Sequence, residues 1–358
     1  MDFSGLKIGY APHVDLQHPF NLRNFVYYAS KRNIDFEIAK PNESYDIILL
    51  SPLADLSIWC KYSKGDAKII FHTVDSYLDA PKWNLKGAFR GLAKYLVNEQ
   101  KCLRVNYSQL IKDMCLRADA VVCATLEQKN AIRQFCNNVH IILECHFNAV
   151  RSIKTDYSIG SRINLVWEGL PANIQNFFHI KDVLTDLRKK YPLTVHIITD
   201  LVHKKHLNRF GRTHIIDEVE QIFGDTYHLN NDSMFCMYQW NRDMFSRIVT
   251  ACDIAIIPLD TKIPFAKGKP ENKLLLFWRM GMPTVVSATP AYTRAMDACG
   301  LNLYCENNED WFKKLEKLIT DSEARQLAGT TGFQHSENCY SEAIYLEKWD
   351  QLFQSVLQ

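Results

Sequence analysis

No two cysteines in this 358-residue chain are spaced to act as a pair. Its eleven cysteines include no C-x-x-C and stand singly in apolar segments, as at Cys60, Cys123, Cys145, Cys252 and Cys299. That argues against a disulfide framework and predicts reduced, mostly structural thiols. A leader-like start is missing too, since Met1–Tyr10 is short and polar and runs at once into a strand-like segment. No apolar run approaches the roughly 20 residues that a spanning helix needs. These absences predict a cytoplasmic protein whose membrane contact, if it has any, is peripheral. Charge of one sign is also lacking. With 42 basic and 40 acidic residues the formal charge is +2, which gives no electrostatic case for nucleic acid as a partner. The G-x-G-x-x-G fingerprint is absent, so the first half is no obvious dinucleotide binder.

What is present is length enough for two domains and, at 47% hydrophobic, material for two cores. Strand-like and helical segments alternate in the first half: Leu6–Tyr10, a helix over Leu22–Lys31, then Phe36–Ala39, Asp46–Leu50, Lys68–His72, Asp119–Ala124 and Val139–Leu143. This spacing predicts a parallel sheet with helical crossovers. After a polar, linker-like stretch near Ala149–Ser161 a second series begins with a strand at Ile163–Trp167, a turn at Gly169, a helix over Phe177–Lys189 and a strand at Thr194–Thr199.

The most informative stretch is Asp253–Pro290, DIAIIPLDTKIPFAKGKPENKLLLFWRMGMPTVVSATP. Ile254–Leu259 reads as a buried strand with Pro258 at its end, where a missing donor does least harm. The loop that follows carries Lys262, Lys267, Lys269 and Lys273, with Gly268 able to bring backbone close to a ligand and Asn272 offering an amide. A helix starts at Glu271 or Asn272, stops at Gly281, and leads to a strand at Thr284–Ala288. Free N–H groups and ammonium groups at such a helix start suit a phosphate or diphosphate. A solvated lysine surface is the bland alternative.

The string NKLLLFWRMGMPTVVS, preceded by DIAIIPLD, resembles the nucleotide-sugar-binding segment of retaining GT-B glycosyltransferases of group 1, family 4-like. LVWEGLPANIQNFFHIKDVLTDL likewise resembles the first strand, glycine turn and helix of their C-terminal domain. The resemblance implies an α/β GT-B fold of two Rossmann-like parallel-sheet domains facing a central cleft. The N-terminal acceptor domain would span 1–152, joined by a C-terminal helix at 338–358, and the nucleotide-sugar-binding domain 160–337. It implies transfer of a sugar from a UDP- or GDP-sugar, serving as substrate rather than cofactor, to a glycan or lipid-linked acceptor in surface polysaccharide or glycolipid assembly. Lys269 and Lys273 would stabilise the departing diphosphate, with Lys267, Gly268, Glu271, Asn272 and the Gly169 turn adding contacts. The family's E-x7-E pair falls here on Gly268 and Leu276, so its carboxylate contacts cannot be carried over. No D-x-D stands at a strand end, and no metal is expected. Two alternatives are a non-catalytic nucleotide-sugar-binding scaffold and a GT-B-type sugar-nucleotide epimerase.

Further candidates lie outside that stretch. Asp75 in FHTVDSYL, beside His72, and His13, Asp15 and His18 in APHVDLQHPFN stand at strand ends, where a base could meet an acceptor hydroxyl. An N-cap Asp and packed or solvated histidines would explain the same residues. By the family resemblance Tyr238 or Trp240, in a loop over Met237–Asn241, would stack on the base, with core packing as the alternative. The window 82–117 holds eight Lys or Arg residues against Glu99 and Asp113, interleaved with aromatics. It suits a peripheral helix on an anionic membrane face, and equally an ordinary sheet-covering helix.

Overall fold

The computed structural model describes residues 3–63, 66–73, 78, 107–204, 212–224, 228–229 and 232–358. The chain forms two compact units. One gathers Met1–Cys145, Ile263–Pro270 and Glu342–Gln358; the other gathers His146–Lys262 and Glu271–Ser341.

In the first unit the strands are β1 (Ile8–Ala11), β2 (Glu37–Ile38), β3 (Ile47–Leu50), β4 (Lys68–His72), β5 (Ala120–Cys123) and β6 (Val139–Ile141). They pair in parallel in the order β2-β1-β3-β4-β5-β6. Ile47, Ile48, Leu50, Ile69, Ile70, Val121 and Val122 are fully buried, as strands covered on both faces require. The expected helix over Leu22–Lys31 is two, Pro19–Leu22 and Phe25–Arg32. Asn24 interrupts them, because its side-chain amide donates to the Phe20 carbonyl at 2.8 Å while its own backbone leaves the helical region. The helix Glu342–Leu357 packs within this unit. Trp349 and Phe353 stack on Tyr28 at 5.5 Å, and Asp350 accepts from the Tyr28 hydroxyl at 2.8 Å and from Arg32 Nε at 3.0 Å.

In the second unit the strands follow as β7 (Ile163–Glu168), β8 (Leu193–Thr199), the short hairpins β9 (Val202–Lys204) with β10 (Arg212–His214) and β11 (His228–Leu229) with β12 (Asp232–Ser233), then β13 (Phe235–Gln239), β14 (Ile254–Ile257), β15 (Thr284–Ser287) and β16 (Tyr304–Cys305). The main sheet is parallel in the order β13-β8-β7-β14-β15-β16. In unit numbering this is 3-2-1-4-5-6, the doubly wound order whose direction reverses between β7 and β14. Two sequence expectations shift here. Phe177–Ile180 belongs to a run of 3-10 turns opened by Pro171, and the α-helix begins only at Lys181. Met237–Gln239 are strand rather than loop, because β13 pairs with β8 through Gln239↔Thr199.

The helix Asn272–Arg279 is held from behind by Ser322–Cys339. A Cβ on Gly332 would overlap the indole of Trp278, which is fully buried. Only a glycine lets the two helices approach that closely at Trp278. Gly281, at φ +69, ends that helix in the left-handed conformation that glycine adopts without strain.

Candidate functional site

In an open doubly wound sheet, ligands collect beyond the strand C-termini where the order reverses. In the second unit that place is the end of β7 and β14. Glu168 closes β7, and Gly169 follows, its N–H donating to the Ile198 carbonyl at 3.2 Å and its carbonyl accepting from Thr199 Oγ1 at 2.7 Å. A Cβ at residue 169 would overlap the Trp167 ring and stand 3.1 Å from Lys273 Nζ. The glycine therefore lets a tryptophan and a lysine close on the strand end.

Lys273 reaches this point from the first turn of its helix. Its Nζ donates to the Glu168 carbonyl at 2.6 Å and to Glu168 Oε2 at 2.9 Å, and lies 5.6 Å above the centre of the Trp167 ring. Lys273's side chain is 30% exposed and Glu168's 16%. Glu271, at the N-cap position, is half-buried, and Asn272 Oδ1 makes no hydrogen bond among the described residues. Tyr292 is buried, and its hydroxyl is pushed up by burial first and by the carboxylates of Glu271 and Glu168 second.

The end of β14 adds a further group. Leu259 N–H donates to Ser287 Oγ at 2.9 Å, Asp260 N–H to Asn176 Oδ1 at 3.2 Å, and Asp260 Oδ2 lies 3.5 Å from His179 Nε2. Sequence reasoning named none of Glu168, Asn176, His179, Asp260 or Tyr292. For Glu168 a signal existed, since it directly precedes the glycine turn.

The four lysines that read as one cluster in sequence divide between the units. Lys262 and Lys273 belong to the second; Lys267 and Lys269 belong to the first. There the turn Pro264–Gly268 is anchored by Gln128, whose Nε2 donates to the Gly268 carbonyl at 2.9 Å while its Oε1 accepts from Ala124 N–H at 2.8 Å. Lys267 is exposed, and Lys269 Nζ lies 4.7 Å over the Phe265 ring. Gly268 is buried.

Of the two aromatic candidates, Tyr238 is engaged on the face of the second sheet. Its ring stacks on His196 at 5.8 Å, its hydroxyl lies 3.1 Å from His196 Nδ1, and His196 Nε2 lies 3.0 Å from Asn164 Oδ1. Trp240 follows β13, its N–H donating to the Thr199 carbonyl at 2.9 Å, with the side chain half-buried.

In the first unit the loop after β1 is locked by Asn21. Its Oδ1 accepts from the Tyr10 hydroxyl at 2.6 Å and from His13 N–H at 2.9 Å, and its Nδ2 donates to the carbonyls of His13, at 3.0 Å, and Asp15. His13 and His18 lie 4.4 Å apart by ring centre, and His72 packs on Phe20 at 5.0 Å. Burial, and secondarily His13, pushes the His72 imidazole down to about 3, so it is neutral. Asp15 accepts locally from Gln17 N–H at 2.8 Å. Asp75 and the greater part of 82–117 lie outside the described residues; the helix Tyr107–Arg117 is the part of that window that is described. No helix among the described residues is long and apolar enough to cross a membrane.

Neither a protein-family model nor a curated protein sequence matches the chain. Solved structures do. TarM is similar with a TM-score of 0.61 at 12% identity, over 92% of this chain and 57% of that one. A mutant of S. aureus TarM, solved with fondaparinux, α-GlcNAc-glycerol and UDP, gives 0.59 at 11%, over 92% and 58%. This chain thus spans less than two thirds of the TarM chains. Sucrose-phosphate synthase from Thermosynechococcus elongatus gives 0.56 at 11% identity, over 97% and 80%. A putative UDP-N-acetylglucosamine 2-epimerase from Listeria monocytogenes gives 0.52 at 12%, over 98% and 96%. With its two parallel six-stranded sheets and these likenesses, the chain has the GT-B fold.

Proposed function

We propose that the chain is a glycosyltransferase that binds a UDP- or GDP-sugar on its second unit and passes the sugar to a glycan or lipid-linked acceptor. The observation that carries this reading is Lys273 Nζ, set beside the Gly169 turn at the reversal of the second sheet and on the first turn of a helix. A cation there would neutralise a diphosphate as it leaves, which is where a glycosyl transfer develops charge. The S. aureus TarM structure holds UDP, and its shared fold supports the choice of donor class. Lysine and helix N–H groups would do this without a divalent ion, and retention of anomeric configuration would follow the family resemblance. A role in surface polysaccharide or glycolipid assembly at the cytoplasmic membrane face belongs to the same reading.

The test is calorimetric titration with UDP, GDP and their sugars, followed by donor hydrolysis with and without chelator. Lys273→Ala should weaken nucleotide binding roughly ten- to hundredfold, the loss of one charge-assisted contact. Unchanged affinity would remove Lys273 from the site. A non-catalytic scaffold is favoured by Leu276, 5% exposed where the family carries a glutamate; it would bind donor without turnover. An epimerase would convert a UDP-sugar with no acceptor present.

A further inference from the structure

The charge at the end of β7 is not what a lysine-rich sequence suggests. Lys273 Nζ spends two of its three hydrogens on one residue, the carbonyl and the carboxylate of Glu168. Glu168 is not a loose surface acid that swings away at no cost: it is the last residue of β7, in register with Ile198, and its side chain is 16% exposed. Ionised, Glu168 and Lys273 cancel. A diphosphate brought to Lys273 therefore meets an ammonium already matched by an acid of the same chain.

We infer that Glu168 is the internal counter-ion of Lys273, competing with the diphosphate of a bound ligand and lowering the site's affinity for every diphosphate. The inference rests on the reading of Lys273 as a diphosphate contact. An anion that offers only charge must part the 2.9 Å Glu168–Lys273 contact or share it against carboxylate repulsion. A whole nucleotide-sugar can offset that cost through its base and sugar; free pyrophosphate has nothing else to offer. Glu168 thus imposes one cost on every diphosphate, which keeps pyrophosphate weakly bound and limits tight retention of the nucleoside diphosphate product.

The experiment is calorimetry of the full chain with UDP, GDP and inorganic pyrophosphate, on the unmodified protein and on Glu168→Gln, Lys273→Met and the double variant. Glu168→Gln keeps the side-chain shape and removes the charge. It should tighten the nucleoside diphosphate and pyrophosphate by a similar factor, on the order of tenfold, and the gain should vanish in the Lys273→Met background. If the unmodified protein binds a nucleotide and Glu168→Gln binds it equally or more weakly, the competition is refuted while the donor site stands. A gain that persists without Lys273 also refutes it. If neither the unmodified protein nor Glu168→Gln binds any of the three ligands at millimolar concentration, the donor-site reading itself falls and this inference falls with it. Melting curves for each variant separate these outcomes from loss of fold.

Discussion

Gly169 is the residue on which the site's geometry depends, and its requirement is steric. Any Cβ there enters the Trp167 ring and stands 3.1 Å from Lys273 Nζ. Gly169→Ala is therefore expected to destabilise the second unit by about 1–3 kcal/mol through overpacking, measured as a lowered urea midpoint, and to weaken nucleotide binding at the same time. Binding lost with stability intact would mean that the turn touches ligand directly; neither lost would mean that the strand end tolerates movement. The partner of Lys273 could not be read from the chain. Glu168 is 105 residues away, and composition records that both charges exist, not that they meet. The division of the lysine loop could not be read either, since Lys267 and Lys269 lie six and four positions before Lys273 in sequence yet belong to the other unit.

Among the elements, the buried parallel strands were the most readable. Runs such as Ile47–Leu50 and Ile254–Ile257 are apolar throughout because both faces are covered. β13 escaped because it is an edge strand, Phe235–Gln239, half of it accessible and rich in polar or sulfur-bearing side chains. The α-helix starting at Lys181 was placed early because Phe177 and Ile180 are buried at near-helical spacing inside 3-10 turns. β4 supplies a pH prediction through His72 at its end. The folded imidazole is held near 3, below its ordinary 6.5, so between those values the unfolded chain binds a proton that the folded chain refuses. Stability should fall as pH drops below about 6.5, by up to about 1.4 kcal/mol per pH unit from this group. His140, His196 and His335 are lowered by burial in the same direction. Urea midpoints at pH 7 and pH 5 test this, and His72→Leu should shrink the difference; an equal drop in the variant would assign acid sensitivity elsewhere. The helix Glu342–Leu357 gives a third case. Trp349 is fully buried and stacks on Tyr28, so Trp349→Ala should cost roughly 3–5 kcal/mol in a denaturant melt.

For the molecule as a whole, the two units are not two consecutive lengths of chain. The first is assembled from three separate stretches and the second from two. The piece 146–341 contains every stretch of the second unit and is expected to fold alone, melting cooperatively by circular dichroism. The piece 1–145 lacks the helix that covers Tyr28 and the turn that binds Gln128, and is expected to remain unfolded or aggregate. A cooperative melt from 1–145 would show that those stretches are accessory.

The stacking of Tyr28 on Trp349 has a consequence for how the protein is made. On a ribosome adding about 5–20 residues per second, domains usually complete in order from the N-terminus. Here the segment synthesised first holds one core wholly within residues 11–139, but the packing around Tyr28 cannot close until residues beyond Glu342 have emerged, 314 positions later. The second unit has all its material earlier. The Tyr28 side of the nascent first unit waits uncovered, which is expected to make this half the more chaperone-dependent during synthesis and the one that a C-terminal truncation would send to aggregation.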